Sequence, residues 1–154
     1  MKNYLLIVFA CSVFIACNNK ADQPDAEEDS TSISEYTFSW QAVLNDSTGK
    51  LELTKQEMIG PDSLSPQAVV DFLNSSNPNI ALTLIKTSGD TIFIKITDAT
   101  YLTQQMGSTG PSMYFASAVY NLTEIPGIRF ANFDFEEGDH AQPGTFTRES
   151  FKDQ

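Results

Sequence analysis

Pro111-Ser112-Met113-Tyr114-Phe115-Ala116-Ser117-Ala118-Val119-Tyr120-Asn121-Leu122-Thr123-Glu124-Ile125-Pro126-Gly127-Ile128-Arg129-Phe130-Ala131-Asn132-Phe133-Asp134-Phe135 changes its hydrophobic period once. Up to Leu122 the apolar residues recur at helical spacing: Pro111 opens the element, and Phe115, Ala118, Val119 and Leu122 share one face. Pro126 cannot continue a helix, and Gly127 can adopt the positive φ that turns the chain out of it. From Ile128 to Phe135 the period falls to two, the mark of a strand, which runs into the acidic turn Glu136-Glu137-Gly138-Asp139.

Upstream, Ile80, Leu82 and Leu84 alternate before Ser88-Gly89-Asp90, and Ile92, Ile94 and Ile96 alternate after it, which predicts a hairpin. Ser65 followed by Pro66 reads as an N-cap with proline at the first helical position, with Ala68, Val69, Phe72 and Leu73 at helical spacing. Asn74-Ser75-Ser76-Asn77-Pro78 reads as that helix's stop. Further back, Tyr36, Phe38, Trp40, Ala42 and Leu44 lie on one face of a first strand, and the segment from Leu51 to Ile59 returns as a short second strand. Asp98 is placed to cap a helical turn over Ala99 to Met106, before the Gly107-Ser108-Thr109-Gly110 interruption. The order β, β, α, β, β, α, β predicts a small α+β fold, an antiparallel or mixed sheet with two helices packed on it.

Composition narrows the function. The 154 residues are 41% hydrophobic and 19% charged, ordinary for a globular chain, with twenty acids against nine bases. A net charge of −11 argues against a nucleic-acid partner, which needs a basic face to displace phosphate counterions. Both cysteines fall within the first seventeen residues, so the body has neither a disulfide framework nor a thiolate zinc site.

Those first residues read as a leader. Lys2 precedes an apolar run from Tyr4 to Cys17. About twelve apolar residues at about 1.5 Å each reach only about 18 to 20 Å, short of the roughly 30 Å hydrocarbon core. Ala16 before Cys17 resembles the lipobox of bacterial lipoproteins, in which the cysteine is lipidated and becomes the mature N-terminus. Phe14 stands where that motif usually has Leu, Val or Ile. Cys11 is a second candidate, but a cut there leaves too short an apolar core; the alternative to both is a plain secretory leader cut elsewhere. Asn18, in place of the Asp that retains lipoproteins in the inner membrane, favours the outer membrane. The expected organisation is residues 1–16 as signal peptide, 17–35 as a lipidated tether and 36–154 as the domain. The tether carries six acids between Lys20 and Glu35 and almost no large apolar side chain, too little to offset the entropy of ordering it. From Asn18 to Glu35 it spans at most about 60 Å, and on the order of 25 Å as a coil.

Val119-Tyr120-Asn121-Leu122-Thr123-Glu124-Ile125-Pro126-Gly127-Ile128-Arg129-Phe130 closely resembles the end of the GerMN domain, where a helix finishes in a leucine-threonine-glutamate, apolar, proline-glycine run before the last strand. Ile96-Thr97-Asp98-Ala99-Thr100-Tyr101-Leu102 is similar to the strand that leads through Asp into that family's second helix, and Glu137-Gly138 falls where its last strand ends. The resemblance spans roughly residues 36–138 and is specific from Ile92 onward; the segment from His140 to Gln154 runs past it. It implies an extracytoplasmic module, often in lipoproteins, similar to ring-building motifs of envelope assemblies and without a recognised catalytic set. Sporulation is not implied, since a tethered outer-membrane domain is a different setting.

The remaining chemistry is sparse. Asp134, Glu136, Glu137, Asp139 and His140 offer oxygen ligands of the kind calcium takes, but without EF-hand spacing, and a solvated turn is the preferred reading. A Ser, His140 and Asp triad lacks its nucleophile elbow, and His140, the lone histidine, falls in the tail. Paired carboxylates are inevitable among twenty acids and identify no glycosidase. Tyr36, Phe38 and Trp40 either stack on a sugar or pack the core, with packing preferred. The Gly107 to Gly110 loop lacks the lysine of a P-loop and reads as a link. Asp29, Asp46, Asp62 and Asp90, each followed by Ser or Thr, resemble O-glycosylation acceptors. The expectation is a non-enzymatic interaction or scaffold module in the cell envelope, held to the membrane through Cys17, with an envelope protein as partner and no catalytic residue, cofactor or metal. The alternative is a small enzyme or ligand-binding protein acting on cell-wall glycan.

Overall fold

The computed structural model describes residues 38–152; the leader, Cys17, the tether and Tyr36 lie outside them. Alternation at the start of the body yields β1 (Phe38–Leu44), which turns through Asn45 into β2 (Leu51–Glu57). The capped segment forms α1 (Pro66–Ser76), with the Ser65 hydroxyl accepting from the Ala68 N–H. The hairpin is β3 (Leu82–Ser88) and β4 (Thr91–Ile96). Tyr101–Gln105 makes one π-helical turn before α2 (Gly110–Leu122), followed by β5 (Phe130–Asp134), β6 (Gly144–Phe146) and a closing 3-10 turn, Arg148–Phe151. The fold is α+β, and its strands divide into two sheets, β1-β2 and β3-β4-β5-β6. β4 and β5 are parallel, as a crossover through α2 requires, while the other neighbours are antiparallel.

The isoleucines of β4 set the core: Ile92, Ile94 and Ile96 are each at most 1% exposed, on the same face as Ala131 and Phe133 of β5. The face predicted for α2, Phe115, Ala118, Val119 and Leu122, is buried, and so are Tyr114, Ala116 and Asn121 on its other sides. A helix buried on several sides lies between layers, and α2 indeed packs against β1, β5, α1 and the closing turn.

The stretch Asn74 to Pro78 stops α1 as expected, the helix ending at Ser76 with Asn77 as C-cap. Asp98 stands at the start of a helical turn as expected, its carboxylate accepting the Thr100 N–H at 3.0 Å, and that bond followed by the Thr100 hydroxyl holds its pKa below the ordinary value; the turn itself is π-helical and ends at Gln105. One expectation changes. The segment after His140 is no tail. It returns as β6 on β5, with the Phe146 ring stacked 5.1 Å from Phe115 and 6.0 Å from Phe151, itself 4% exposed. Such aromatic pairs add about 0.5–1.5 kcal/mol beyond their buried area.

Each helix is docked by one asparagine. The Asn121 Oδ1 accepts the Trp40 N–H at 2.9 Å, and its Nδ2 donates to the Trp40 carbonyl at 2.8 Å and to the Ser117 carbonyl at 2.8 Å. Asn74 repeats the arrangement on β3, accepting the Leu82 N–H at 2.7 Å and donating to the Leu82 carbonyl at 3.0 Å. A carboxamide has the donor and acceptor of a peptide group, so each asparagine substitutes for a neighbouring strand at one residue. Next along β1, the Ala42 N–H donates to the Ser117 hydroxyl at 2.8 Å. Asn121 is 1% exposed.

Asn121→Ala strands the N–H and C=O of Trp40, and we expect it to lower the unfolding free energy by about 2–4 kcal/mol in urea denaturation; an unchanged midpoint contradicts the docking role. Gly127, at φ +83, has the predicted positive φ, with no atom within 4 Å of where a Cβ would stand. Gly127→Val is therefore penalised by backbone strain alone, by about 1–3 kcal/mol in the same assay.

Candidate functional site

Docking α2 on β1 leaves a groove beside them, closed on its far side by the end of α1, with a volume of about 370 Å³. That lies within the size range of small-ligand sites. Ser39 and Gln41 share one face of β1, and Gln56 is the β2 register partner of Ser39. α1 supplies Phe72, Leu73, Ser76 and Asn77; α2 supplies Met113, Tyr114 and Ser117. Met106 and Ile59 complete the wall. Ile59 is 58% exposed and follows Met58, which is 83% exposed and has φ 62, a conformation uncommon outside glycine. Gly60 lies so close over Phe38 that a Cβ there would meet the Phe38 carbonyl oxygen.

Among the described residues that line it there is no Asp, Glu, Lys, Arg, His or Cys. Its one ionisable group is Tyr114, whose phenol burial pushes above its ordinary value, so it stays neutral. Two hydroxyls there are unusual. Tyr114 is 4% exposed and its Oη is a sealed side-chain polar atom without a hydrogen-bond partner among the described residues. Ser39 is 5% exposed, and its hydroxyl likewise has no partner among the described residues, yet it is not sealed from the groove.

On the opposite face of β1 the polar groups are all engaged. The Trp40 indole N–H donates to Glu124 Oε1 at 2.9 Å, and Glu124 pairs with Arg148. Arg148 also donates from Nε to the Thr123 hydroxyl at 2.7 Å and from Nη2 to the Tyr120 carbonyl at 3.0 Å. Its guanidinium lies 4.9 Å from the Tyr120 ring centre, and that ring meets Trp40 edge-on at 5.6 Å. This knot joins β1, the end of α2 and the closing turn.

The residues singled out from sequence fall elsewhere. Trp40 and Phe38 are occupied in packing: Phe38 contacts Trp40 edge-on at 6.2 Å, and Lys55 covers its ring at 3.6 Å. Asp134, Glu136, Glu137, Asp139 and His140 are exposed, and no three of His, Cys, Asp and Glu converge on a possible ion among the described residues. The His140 N–H donates to the Thr103 carbonyl at 3.1 Å, which places it on the π turn and away from the groove. Asp46 and Asp62 are exposed, Asp90 is half-buried, and Asp29 lies outside the described residues. Sequence reasoning missed the groove and Arg148. Serines and glutamines on the polar face of an amphipathic strand read as solvated, and only an unpartnered hydroxyl in the folded chain sets them apart.

Comparison of the chain with protein-family models, with curated proteins and with solved structures yields no match. Among the described residues no helix is long and apolar enough to cross a membrane.

Because the side chains of Asp134, Glu136, Asp139 and His140 are exposed, Asp134→Asn, Glu136→Gln, Asp139→Asn and His140→Ala are each expected to shift stability by no more than about 0.5 kcal/mol. Thermal melts check this, and a larger loss for any of them would show that the turn is structural.

Proposed function

We propose that this chain is a membrane-tethered, non-enzymatic binding or scaffold module of the cell envelope, with a GerMN-like body. The observation that carries the reading is the neutral groove. Acyl or glycosyl transfer needs a base, an acid or a charged stabiliser beside the reacting atoms. The Ser39 and Ser117 hydroxyls have none among the groove's lining residues, so the site is suited to holding a ligand and not to turning one over. The GerMN-like reading draws support from what its motif residues do here: Asn121 holds β1, while Thr123 and Glu124 hold Arg148. Those residues build the fold, as expected of a module whose shared residues are not catalytic.

Display from a membrane rests on the apolar leader and Cys17. Two or more acyl chains, each at about 0.8 kcal/mol per buried methylene, make release negligible, and Asn18 favours the outer membrane. The acidic tether then holds the body off the surface, where an envelope protein can reach it.

Two measurements test the reading. Fractionation of Cys17→Ser is expected to show an unprocessed precursor or a released domain, and a fully processed, membrane-held variant contradicts the anchor. Incubation with purified envelope glycan is expected to produce no new reducing ends, and turnover that disappears with a single groove substitution in a folded protein contradicts the non-enzymatic assignment.

A further inference from the structure

We infer that the groove between β1, α1 and α2 is a binding site for an uncharged glycan, specifically an oligosaccharide of N-acetylated amino sugars. This deepens the binding-module reading and rests on it. Three features select the ligand. First, the groove presents no formal charge in a chain of net charge −11, so phosphates, uronic acids and free amines find no counter-charge there. Second, its polar groups are hydroxyls and carboxamides, Ser39, Gln41, Gln56 and Asn77, set against apolar Ile59 and Met113. Sugar hydroxyls and acetamido groups pair with such side chains, and the acetyl methyl fits a flexible thioether wall.

The third feature separates a glycan from a peptide. An extended peptide gains affinity by adding main-chain hydrogen bonds to a strand edge. Along the groove that edge is already taken at Trp40, whose N–H and carbonyl Asn121 holds, and at the Ala42 N–H, which Ser117 holds, and Gly60 crowds Phe38. Recognition then falls to side-chain groups still lacking partners. The hydroxyl of Ser39, a residue 5% exposed in a wall of the groove, is the foremost of them. Leaving a buried hydroxyl unpaired destabilises the empty protein, and a ligand that pairs with it recovers that loss on binding.

The test is calorimetric titration of the purified protein with N-acetylglucosamine oligomers, with de-acetylated glucosamine oligomers and a neutral capped peptide as comparisons. Saturable binding of the acetylated oligomer alone is expected. Ser39→Ala is expected to weaken it by about threefold to tenfold, the worth of one neutral hydrogen bond, whereas Tyr114→Phe, whose hydroxyl is sealed from the groove, is expected to leave it unchanged. Melting temperature is the second readout: Ser39→Ala removes an unpaired hydroxyl, so it is expected to leave the empty protein as stable or more so, which separates lost recognition from lost folding. No binding of the acetylated oligomer, equal binding of the charged one, preference for the peptide, or binding indifferent to Ser39→Ala overturns the proposal. Failure of glycan binding leaves the module reading standing, whereas release of sugar fragments during the titration defeats that reading while the site survives.

Discussion

Everything on the β1 side of the molecule depends on the Asn121 carboxamide. A two-stranded ribbon is marginal by itself, and β1-β2 has no third strand. α2 supplies the missing neighbour with a side chain, satisfying the Trp40 N–H and carbonyl together. A leucine at this position would bury as much apolar surface and would leave two backbone groups without partners, each costing about 1–3 kcal/mol. Asn74 does the same for Leu82 at the outer edge of the four-stranded sheet. The two helices are thus fixed by directional bonds as well as by apolar contact, and the groove is what the fixed spacing leaves between them.

The closing segment carries the second constraint. Arg148 ties the 3-10 turn to Glu124, Thr123 and Tyr120, and Phe146 and Phe151 extend the aromatic stack begun by Phe115. Glu124 receives both the Trp40 indole N–H and the Arg148 guanidinium, so the first strand and the last turn meet on one carboxylate. Chain segments more than a hundred residues apart are held together there, which leaves the groove face of β1 free of structural duty.

Elements governed by local chemistry were readable in advance. Ser65-Pro66 starts α1, Gly127 takes its positive φ of +83 in the turn between α2 and β5, although α2 itself already ends at Leu122 with Thr123 as C-cap, and the three isoleucines of β4 lie on the buried face. What the sequence did not reveal depends on tertiary placement. Asn74 reads from sequence only as part of the helix stop, because short polar side chains compete for the backbone; in the fold its carboxamide binds β3, a partner that only tertiary placement supplies. β6 is three residues long, too short for a period, and is defined by the Phe133 to Gly144 register. The groove was hidden for a related reason, since Ser39 and Gln41 differ from solvated residues only by what stands opposite them.

Native-state hydrogen exchange on the purified protein tests the docking constraint most directly. The Trp40 and Ala42 amides, bonded to helix side chains and to no strand, are predicted to exchange as slowly as the β4 amides in the natural protein. In Asn121→Ala they are predicted to exchange through a local opening, faster than β4 by at least about tenfold, the protection that about 1.4 kcal/mol confers. Trp40 and Ala42 amides that exchange rapidly in the natural protein, or that keep their protection in the variant, would contradict the account.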